Sequence, residues 1–400
     1  MKANNSMAVL PYGRHQIDDD DIEAVVDVLR NGLLTSGPKA AEFEADFAAK
    51  IGAEEAVVCS NGTTALHLAV MAAGLGPGDV AIVPTLTFLS TANAVRMAGA
   101  EVQFADVDSD TGLLTPKTLL AAYKKVDGAV KAVLPVHLNG QCADMPEIKD
   151  IATANNSALI TDSCHALGAE YAGGGRPGDG RYEDMACFSL HPVKSIAMGE
   201  GGMVTTNNPK FAKRMRLLRS HDMVRDAADW VLADVSFDKN GDANPWVYEM
   251  HELGYNYRAP DILCALGQSQ LKKLDGFVAR RREIAEFYDE LLAPLGNFLR
   301  PVPRTMLAKS AWHLYPVLID FNTREEDRAE VMRRLLAEGI GTQVHYIPVS
   351  GQPYYSNRYG TQKFAGANSY YQRVLSLPIF PAMSDEDVRG VVSALETVLG

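Results

Sequence analysis

Short apolar runs alternate with helix-like patterns over the first two thirds of the chain, and this alternation constrains the fold more than any other feature. An apolar run, a helix and a further apolar run are typical of a βα unit, and repeated units form a mostly parallel sheet with helices on both faces. The expected strands are 56–60, 80–85, 101–107, 129–138, 158–162, 185–190 and 202–206, and the expected helices are 64–75, 89–98 and 145–155.

The last third of the chain has a different pattern. We therefore expect an α/β fold with a large domain at residues 1–275 and a small C-terminal α+β domain at residues 276–400. The elements expected here are a long helix at 260–292, strands at 312–320 and 341–347, a capping box at 323–326 that opens a helix to about Gly339, and a closing helix at 384–399.

Charge and composition exclude several classes of protein. The 400 residues include 38 Lys and Arg against 50 Asp and Glu, a formal net charge of −12, which argues against a nucleic-acid partner. No apolar run reaches the ~18 residues of a membrane helix, and the N-terminal stretch has no apolar core of signal-peptide length. The five cysteines are widely spaced without a CxxC pair, which predicts reduced thiols in a cytoplasmic protein and no metal site.

The segment CFSLHPVKSIAMGEGGM, residues 187–203, is the most informative. A strand-like run ends at Ser189, Lys194 follows, and a glycine-rich turn comes next. A lysine in a protected loop loses solvation, which lowers its pKa and makes its amine a nucleophile. Most lysines are solvated, so a surface lysine is the favoured alternative for Lys194 taken alone.

A second segment, ALITDSCHALGA, places Asp162 at the end of an apolar strand. Open α/β sheets carry functional groups at that edge, and a carboxylate there could keep the ring nitrogen of pyridoxal phosphate protonated. His165 could touch the same ring. The alternatives are a helix N-cap for Asp162 and a hydrogen-bonded core histidine for His165.

Two strands earlier in the chain are each followed by a further candidate: a turn that could bind a phosphate, and an aromatic side chain. The turn SNGTTAL, residues 60–66, offers free backbone N–H groups and hydroxyls at a helix start, although threonine caps are also common there. Phe88 follows the next strand and could stack on a flat cofactor, unless it is a core residue.

The loop GYNYR precedes the long helix. Asn256 offers an amide to a phosphate, and the guanidinium of Arg258 suits an oxyanion. The alternative is an aromatic loop packed under the helix. Each of these signals is weak alone, but they occur in the order that a Schiff-base cofactor enzyme would use.

The chain resembles the DegT/DnrJ/EryC1/StrS sugar aminotransferases, which are pyridoxal phosphate enzymes of the aspartate-aminotransferase-like fold type I. The resemblance runs from about Leu10 to the C-terminus. The motifs that carry it are NGTTALHLA, PTLTFLSTANAV, the DVD of residues 106–108, TDSCHALGAEY, FSLHPVKSIAMGEGG, LGYNYRAPDILCALGQSQL and HYIPV.

The resemblance implies a role for each candidate residue. Lys194 would bind the cofactor aldehyde and carry a proton during the reaction, and Asp162 would hold the ring nitrogen. Asn256 would reach the phosphate of the other subunit's cofactor, which implies a homodimer with shared active sites. The remaining implied contacts are Phe88 stacking on the ring, His165 beside it, Thr63, Thr64 and Ser189 at the phosphate, and His191, Arg258, His345 and Tyr346 at the substrate.

Within the family the chain is most similar to the UDP-sugar aminotransferases of pseudaminic acid biosynthesis. Those enzymes move the amino group of L-glutamate to C4 of a UDP-4-keto-6-deoxy-N-acetylhexosamine. Other nucleotide-sugar aminotransferases, of the bacillosamine, legionaminic acid or perosamine type, are the alternative. A cofactor-dependent sugar dehydratase, which usually replaces the lysine with histidine, and an inactive regulatory relative are less consistent with Lys194.

Overall fold

The structure is a computed structural model that describes residues 9–296, 299–321 and 325–400. Its strands are β1 (Glu55–Cys59), β2 (Val80–Pro84), β3 (Glu101–Ala105), β4 (Ala132–Val133), β5 (Ala158–Asp162), β6 (Glu170–Tyr171), β7 (Met185–Ser189), β8 (Gly202–Thr206), β9 (Met223–Val224), β10 (Glu249–Met250), β11 (Leu299–Pro301), β12 (Ala308–Lys309), β13 (Tyr315–Ile319) and β14 (Val374–Leu377).

The α-helices cover both faces of the large sheet and the C-terminal part. They are α1 (Asp19–Asn31), α2 (Lys39–Ile51), α3 (Gly62–Ala72), α4 (Leu89–Met97), α5 (Pro116–Tyr123), α6 (Met145–Ala154), α7 (Pro209–Leu218), α8 (Ala233–Ser236), α9 (Asp261–Leu292), α10 (Arg328–Ala337), α11 (Pro353–Tyr359), α12 (Ala365–Arg373) and α13 (Asp385–Leu399).

Seven strands form the central sheet in the order β1-β8-β7-β5-β4-β2-β3. β8 pairs antiparallel with both of its neighbours, whereas the other pairings are parallel. The strands β1, β2, β5 and β7 therefore end at the same edge. Most residues of these strands are buried, as expected for strands covered by helices on both faces. The predicted α/β fold with a mostly parallel sheet is confirmed.

The C-terminal part has its own core around the sheet β11-β13-β14. The buried apolar residues of that core all lie after position 283 and include Tyr288, Tyr315 and Leu395. The 32-residue helix α9 connects the two parts, since it packs on α1 and α2 at one end and on α13 at the other. The domain division near Asp275 falls inside this helix and remains a prediction.

Three expectations for single elements need correction or lie outside the described residues. The strand expected at 341–347 is wrong, because this backbone leaves the sheet after one bridge between Gln343 and Ser376 and lines a cavity instead. The strand expected at 129–138 is reduced to β4, since Pro135 has no N–H to donate to a ladder. Thr323, on which the expected capping box depends, lies outside the described residues, and the described helix begins at Arg328 with Asp327 as its N-cap.

The DVD motif connects the two parts of the chain. The Asp106 carboxylate accepts hydrogen bonds from the N–H groups of Gly366 (3.0 Å) and Ala367 (2.9 Å), at the first turn of α12. A Cβ atom on Gly366 would overlap the carbonyl oxygen of Val107. This aspartate therefore has a structural contact, and the contact requires a glycine at position 366.

We expect Gly366→Ala to destabilise the fold. The added methyl group must displace a backbone carbonyl, and overpacking of this kind costs about 1–3 kcal/mol. The midpoint of thermal unfolding should fall measurably. Gly390→Ala in α13 is the matched control, because its methyl group would point into open space beside the helix and alanine favours helices. Equal unfolding temperatures for Gly366→Ala and the wild type would contradict the contact described above.

Candidate active site

A cavity of about 700 Å³ lies where β1, β2, β5 and β7 end. Ligands of open α/β sheets bind at the carboxyl ends of the strands, so the position is the expected one. Segment 343–347 of the C-terminal part closes the other side. Nine of the twelve candidate residues line this cavity: Thr63, Phe88, Asp162, His165, Ser189, His191, Lys194, His345 and Tyr346.

Lys194 lies in the loop that joins β7 to β8. The loop is closed by backbone hydrogen bonds from Leu190 to Gly201 (2.8 Å) and from Met198 to Leu190 (2.9 Å). The lysine is half-buried and lines the cavity, so it is not the solvated surface lysine of the alternative. Burial lowers the pKa of its amine, Cys164 and Asp162 raise it by less, and the buried Arg281 acts in the same direction as burial. Its Nζ lies 3.4 Å from Nε2 of His313.

Asp162 ends β5 and is 5% exposed. The hydroxyl of Thr91 donates a hydrogen bond to its Oδ2 (2.6 Å), and the N–H of Cys164 donates to its Oδ1 (3.2 Å). Thr87 extends this chain with a hydrogen bond to Thr91 of 2.8 Å. The carboxylate thus makes the turn contact of the capping alternative and also lines the cavity at a fixed orientation.

The first turn of α3 forms a cradle of backbone groups. Its N–H groups at Gly62 and Thr63 have no acceptor within the helix, as in any first helical turn, and both residues line the cavity. A Cβ on Gly62 would lie 2.9 Å from Cβ of Ser189, so only glycine leaves the cradle open. Thr64 does not line the cavity, because its hydroxyl accepts a hydrogen bond from the N–H of Asn61 (3.1 Å) as part of the helix cap.

Aromatic side chains also line the cavity. Phe88 is 53% exposed, so the alternative of a core residue is wrong, and its ring centroid lies 5.9 Å from that of Tyr346. His165 accepts a hydrogen bond from the N–H of Asn139 (3.3 Å) at Nδ1, and its Nε2 lies 3.2 Å from the hydroxyl of Tyr346. His165 is therefore both a hydrogen-bonded buried histidine and part of the cavity wall.

Two further histidines line the same cavity. His345 is buried, and its Nδ1 lies 2.8 Å from the hydroxyl of Ser376. Burial, followed by the charge of Lys194, lowers the pKa of His345 to about 3. Burial, then Lys194 and His345, hold the pKa of His165 well below its usual range. Both imidazoles are neutral at neutral pH. His191 is exposed at the rim.

The GYNYR loop does not reach this cavity. Asn256 is exposed and forms a backbone bridge with Ser220. The flanking Tyr255 and Tyr257 stack at 4.9 Å, and Tyr257 contacts His67 of α3, so the loop is packed as in the aromatic-loop alternative. Arg258 is half-buried, and no side chain or backbone group among the described residues bonds to it.

Some residues of the site were missed by sequence reasoning. Thr91 lies one helical turn after Thr87 in PTLTFLST, a spacing that could have indicated the contact with Asp162. Glu200 and Tyr12 also line the cavity, but nothing in their local sequence singles them out. His313 becomes a neighbour of Lys194 only through the fold.

A flat ring with a phosphate arm fits this arrangement. The cradle at Gly62 suits the phosphate, Asp162 suits a protonated ring nitrogen, Phe88 offers a stacking face and Lys194 offers an amine to an aldehyde. The fold and the site together define a pyridoxal phosphate enzyme of fold type I.

Comparisons with known proteins identify the family. The sequence profile of the DegT/DnrJ/EryC1/StrS aminotransferase family matches residues 15–396. The chain is 38% identical to the spore coat polysaccharide biosynthesis protein SpsC of Bacillus subtilis (strain 168), over 98% of this chain and 97% of that protein. It is 37% identical to a UDP-4-amino-4,6-dideoxy-N-acetyl-beta-L-altrosamine transaminase of Campylobacter jejuni subsp. jejuni serotype O:23/36 (strain 81-176), over 98% of both chains.

A solved structure shows the same fold. PseC of Helicobacter pylori, an aminotransferase involved in the biosynthesis of pseudoaminic acid, superposes with a TM-score of 0.86 at 27% identity, over 98% of this chain and 99% of that one. The chain belongs to the DegT/DnrJ/EryC1/StrS aminotransferase family. It is a sugar aminotransferase, and pyridoxal phosphate is its cofactor. Within the described residues, no helix combines the length and the apolar character needed to cross a bilayer.

Proposed function

We propose that the chain moves the amino group of L-glutamate to C4 of a UDP-4-keto-6-deoxy-N-acetylhexosamine, as in pseudaminic acid biosynthesis. The observation that carries the proposal is a cavity with Lys194 and Asp162 in a chain that is 37% identical, over 98% of its length, to a transaminase named for such a sugar. The structural similarity to PseC supports the same substrate class.

The residues of the cavity divide the work between binding and proton transfer. When bound, pyridoxal phosphate supplies an electron sink for the carbon that loses a proton. Lys194 would hold the cofactor aldehyde, and its free amine would carry the proton, a role that its lowered pKa favours. Asp162 would hold the protonated ring nitrogen, and the hydrogen bond from Thr91 orients its carboxylate.

The remaining residues position the cofactor and the substrate. Thr63, Ser189 and the N–H groups of the α3 turn would hold the phosphate, and Phe88 would stack on the ring. Thr64 would act only through the helix cap, since its hydroxyl is engaged there. We assign the substrate side of the cavity to His191, His345 and Tyr346.

A substrate panel tests the proposal. Purified enzyme is incubated with glutamate and a set of UDP- and dTDP-linked 4-ketosugars and 3-ketosugars, and the products are identified by mass spectrometry. We expect amination of the UDP-4-keto-6-deoxy-N-acetylhexosamine at the highest rate. A higher rate with a dTDP-sugar, or with a 3-ketosugar, would contradict the proposed substrate and point to another branch of the family.

The charge of the cavity supports a site that two subunits share. Among the described residues that line it, Lys194 is the only lysine or arginine, and Asp162 and Glu200 are acidic. A nucleotide diphosphate and a dicarboxylate are both bound most strongly by cationic side chains. Lys194 is not available for this, because it is the proposed reacting amine. Arg258 has no partner among the described residues, so a second copy of the chain could supply it together with Asn256.

The segment before this loop carries several exposed apolar side chains between positions 231 and 253. Exposed apolar surface on soluble proteins can mark a contact surface. We therefore propose a homodimer in which each subunit completes its neighbour's site, as a two-fold contact requires. The most exposed of these side chains are Val231, Trp246, Met250 and Leu253.

Subunit exchange tests the shared site. Homodimers of Lys194→Ala and of Asn256→Asp should each have little activity. A heterodimer of the two would contain one site with both defects and one site with neither, so mixing should restore about half of the wild-type activity per heterodimer. Activity after exchange is measured against native mass spectrometry of the dimer population.

A matched pair of variants provides the control. Lys194 and Asp162 line the same cavity of one chain, so a heterodimer of Lys194→Ala and Asp162→Asn has a defect in both sites and should stay inactive. Proven heterodimers of Lys194→Ala and Asn256→Asp that also stay inactive would place Asn256 in its own subunit's site, and an active Asn256→Asp homodimer would place it outside any site.

A further inference from the structure

His313 is a buried residue that the proposed function leaves without a role. It is 4% exposed and is not among the residues that line the cavity. Its Nε2 lies 3.4 Å from Nζ of Lys194, which is the only hydrogen-bond partner that the described residues give to that amine. Its Nδ1 has no partner among the described residues. The contact with Lys194 is therefore the one polar contact that the described residues give to the imidazole ring.

The backbone at His313 is held by a buried cation. Arg281 of α9 is fully buried, and its Nη1 donates hydrogen bonds to the carbonyl oxygens of Trp312 (3.2 Å), His313 (3.2 Å) and Ile379 (2.9 Å). No carboxylate among the described residues pairs with this guanidinium, and an unpaired buried charge is costly. The buried guanidinium of Arg281 thus costs stability, and its hydrogen bonds fix the backbone that carries His313.

The same peptide has an unusual conformation. Trp312 has a φ of +47°, which is rare for a bulky residue, and backbone strain of this kind concentrates at functional sites. Gly140 approaches the peptide so closely that a Cβ there would lie 2.9 Å from the nitrogen of Trp312 and 3.1 Å from that of His313. Position 313 is therefore fixed from two sides.

The groups around His313 keep its ring neutral. Lys194, Arg281, His165 and His345 are its titratable neighbours, and the rings of His165 and His313 lie 4.4 Å apart. Burial, and then these neighbours, hold the pKa of His313 well below its usual range. A neutral imidazole with a free Nε2 accepts a hydrogen bond and does not compete with Lys194 for the proton.

We propose that His313 is a catalytic residue that anchors the reacting amine. When Lys194 takes up a proton from the amino donor, its ammonium group has three N–H bonds. One is donated to Nε2 of His313, and the other two are left to face the cavity, from which one proton is returned to the reacting molecule. Lys194 gains and then loses one proton, and His313 stays neutral throughout. The inference rests on the proposed function only in taking Lys194 as the reacting amine.

The test measures the lysine directly, without the cofactor. In the apoenzyme, Lys194 is labelled with acetic anhydride over a range of pH, and the modified peptide is quantified by mass spectrometry to give the pKa of the amine. A hydrogen bond to the ammonium form raises that pKa, so its removal must lower it. His313→Leu should lower the pKa of Lys194 by about one unit. His313→Gln keeps an amide oxygen near the position of Nε2 and should leave the pKa close to the wild-type value.

Steady-state kinetics of the holoenzyme supply the second readout. We expect His313→Leu to lower kcat about 10- to 100-fold with a much smaller change in KM, and His313→Gln to recover most of kcat. If His313→Leu does not fold, His313→Asn takes its place, since the shorter amide does not reach Nζ.

Three outcomes are decisive. An unchanged pKa of Lys194 in His313→Leu or His313→Asn would contradict the proposal that His313 anchors the amine. Equal losses of kcat in the Gln and Leu variants would also overturn it, because they would show that the imidazole only fills space. A wild-type enzyme that aminates no ketosugar, although the pKa shift is present, would overturn the proposed function and support the anchor.

Discussion

Lys194→Ala is expected to abolish amino transfer. The variant would lose the amine that we propose to bind the cofactor aldehyde and to carry the proton, so turnover should fall by at least about 10⁴-fold. The fold should be nearly unaffected, because the only hydrogen bond of this side chain among the described residues is the 3.4 Å contact with His313. The rate is measured with glutamate and the ketosugar, and folding by thermal unfolding.

A surface lysine is the matched control for this variant. Lys124 is exposed and follows α5, so Lys124→Ala should keep the wild-type rate. Turnover above about one per cent of wild type in Lys194→Ala would show that another group carries the proton.

Asp162→Asn is expected to bind the cofactor but to react slowly. The phosphate cradle at Gly62 and the stacking face of Phe88 remain intact, so binding should persist. A neutral amide does not stabilise a protonated ring nitrogen as a carboxylate does, so kcat should fall about 10²- to 10³-fold or more. Cofactor binding is measured by visible absorbance and kcat by product formation.

A variant of Thr91 distinguishes the effect of the Asp162 charge from the effect of the orientation of its carboxylate. Thr91→Val removes the 2.6 Å hydrogen bond to Asp162 but keeps the carboxylate, so its loss of kcat should be much smaller than that of Asp162→Asn. Wild-type rates in Asp162→Asn would mean that this aspartate serves only the turn contact with Cys164.

The mostly parallel sheet and the edge that holds the site follow from local patterns in the sequence, whereas the order of the strands within the sheet does not. Asp162 and Ser189 end apolar strands, and Phe88 follows the end of another within four residues. Parallel strands bring such positions to one edge of the sheet.

The strand expected at 341–347 is wrong because the segment forms only one bridge among the described residues, between Gln343 and Ser376. His345 and Tyr346 line the cavity and belong to no described strand.

Contacts between distant segments were out of reach of sequence reasoning. His313 and Lys194 are 119 positions apart, and the helix that fixes His313 lies between them in the chain. The engagement of Thr64 in a helix cap depends on the conformation of Asn61, and the lack of a second cation among the described residues of the cavity depends on the whole lining. Such features emerge only when the chain is folded.

Trapping of the cofactor on its lysine tests the central claim most directly. The holoenzyme is reduced with borohydride, which makes the bond between cofactor and lysine permanent, and is then digested and mapped by mass spectrometry. We predict one modified peptide, which contains Lys194 and spans the loop between β7 and β8. A cofactor adduct on any other lysine would contradict the assignment of the cavity as the active site.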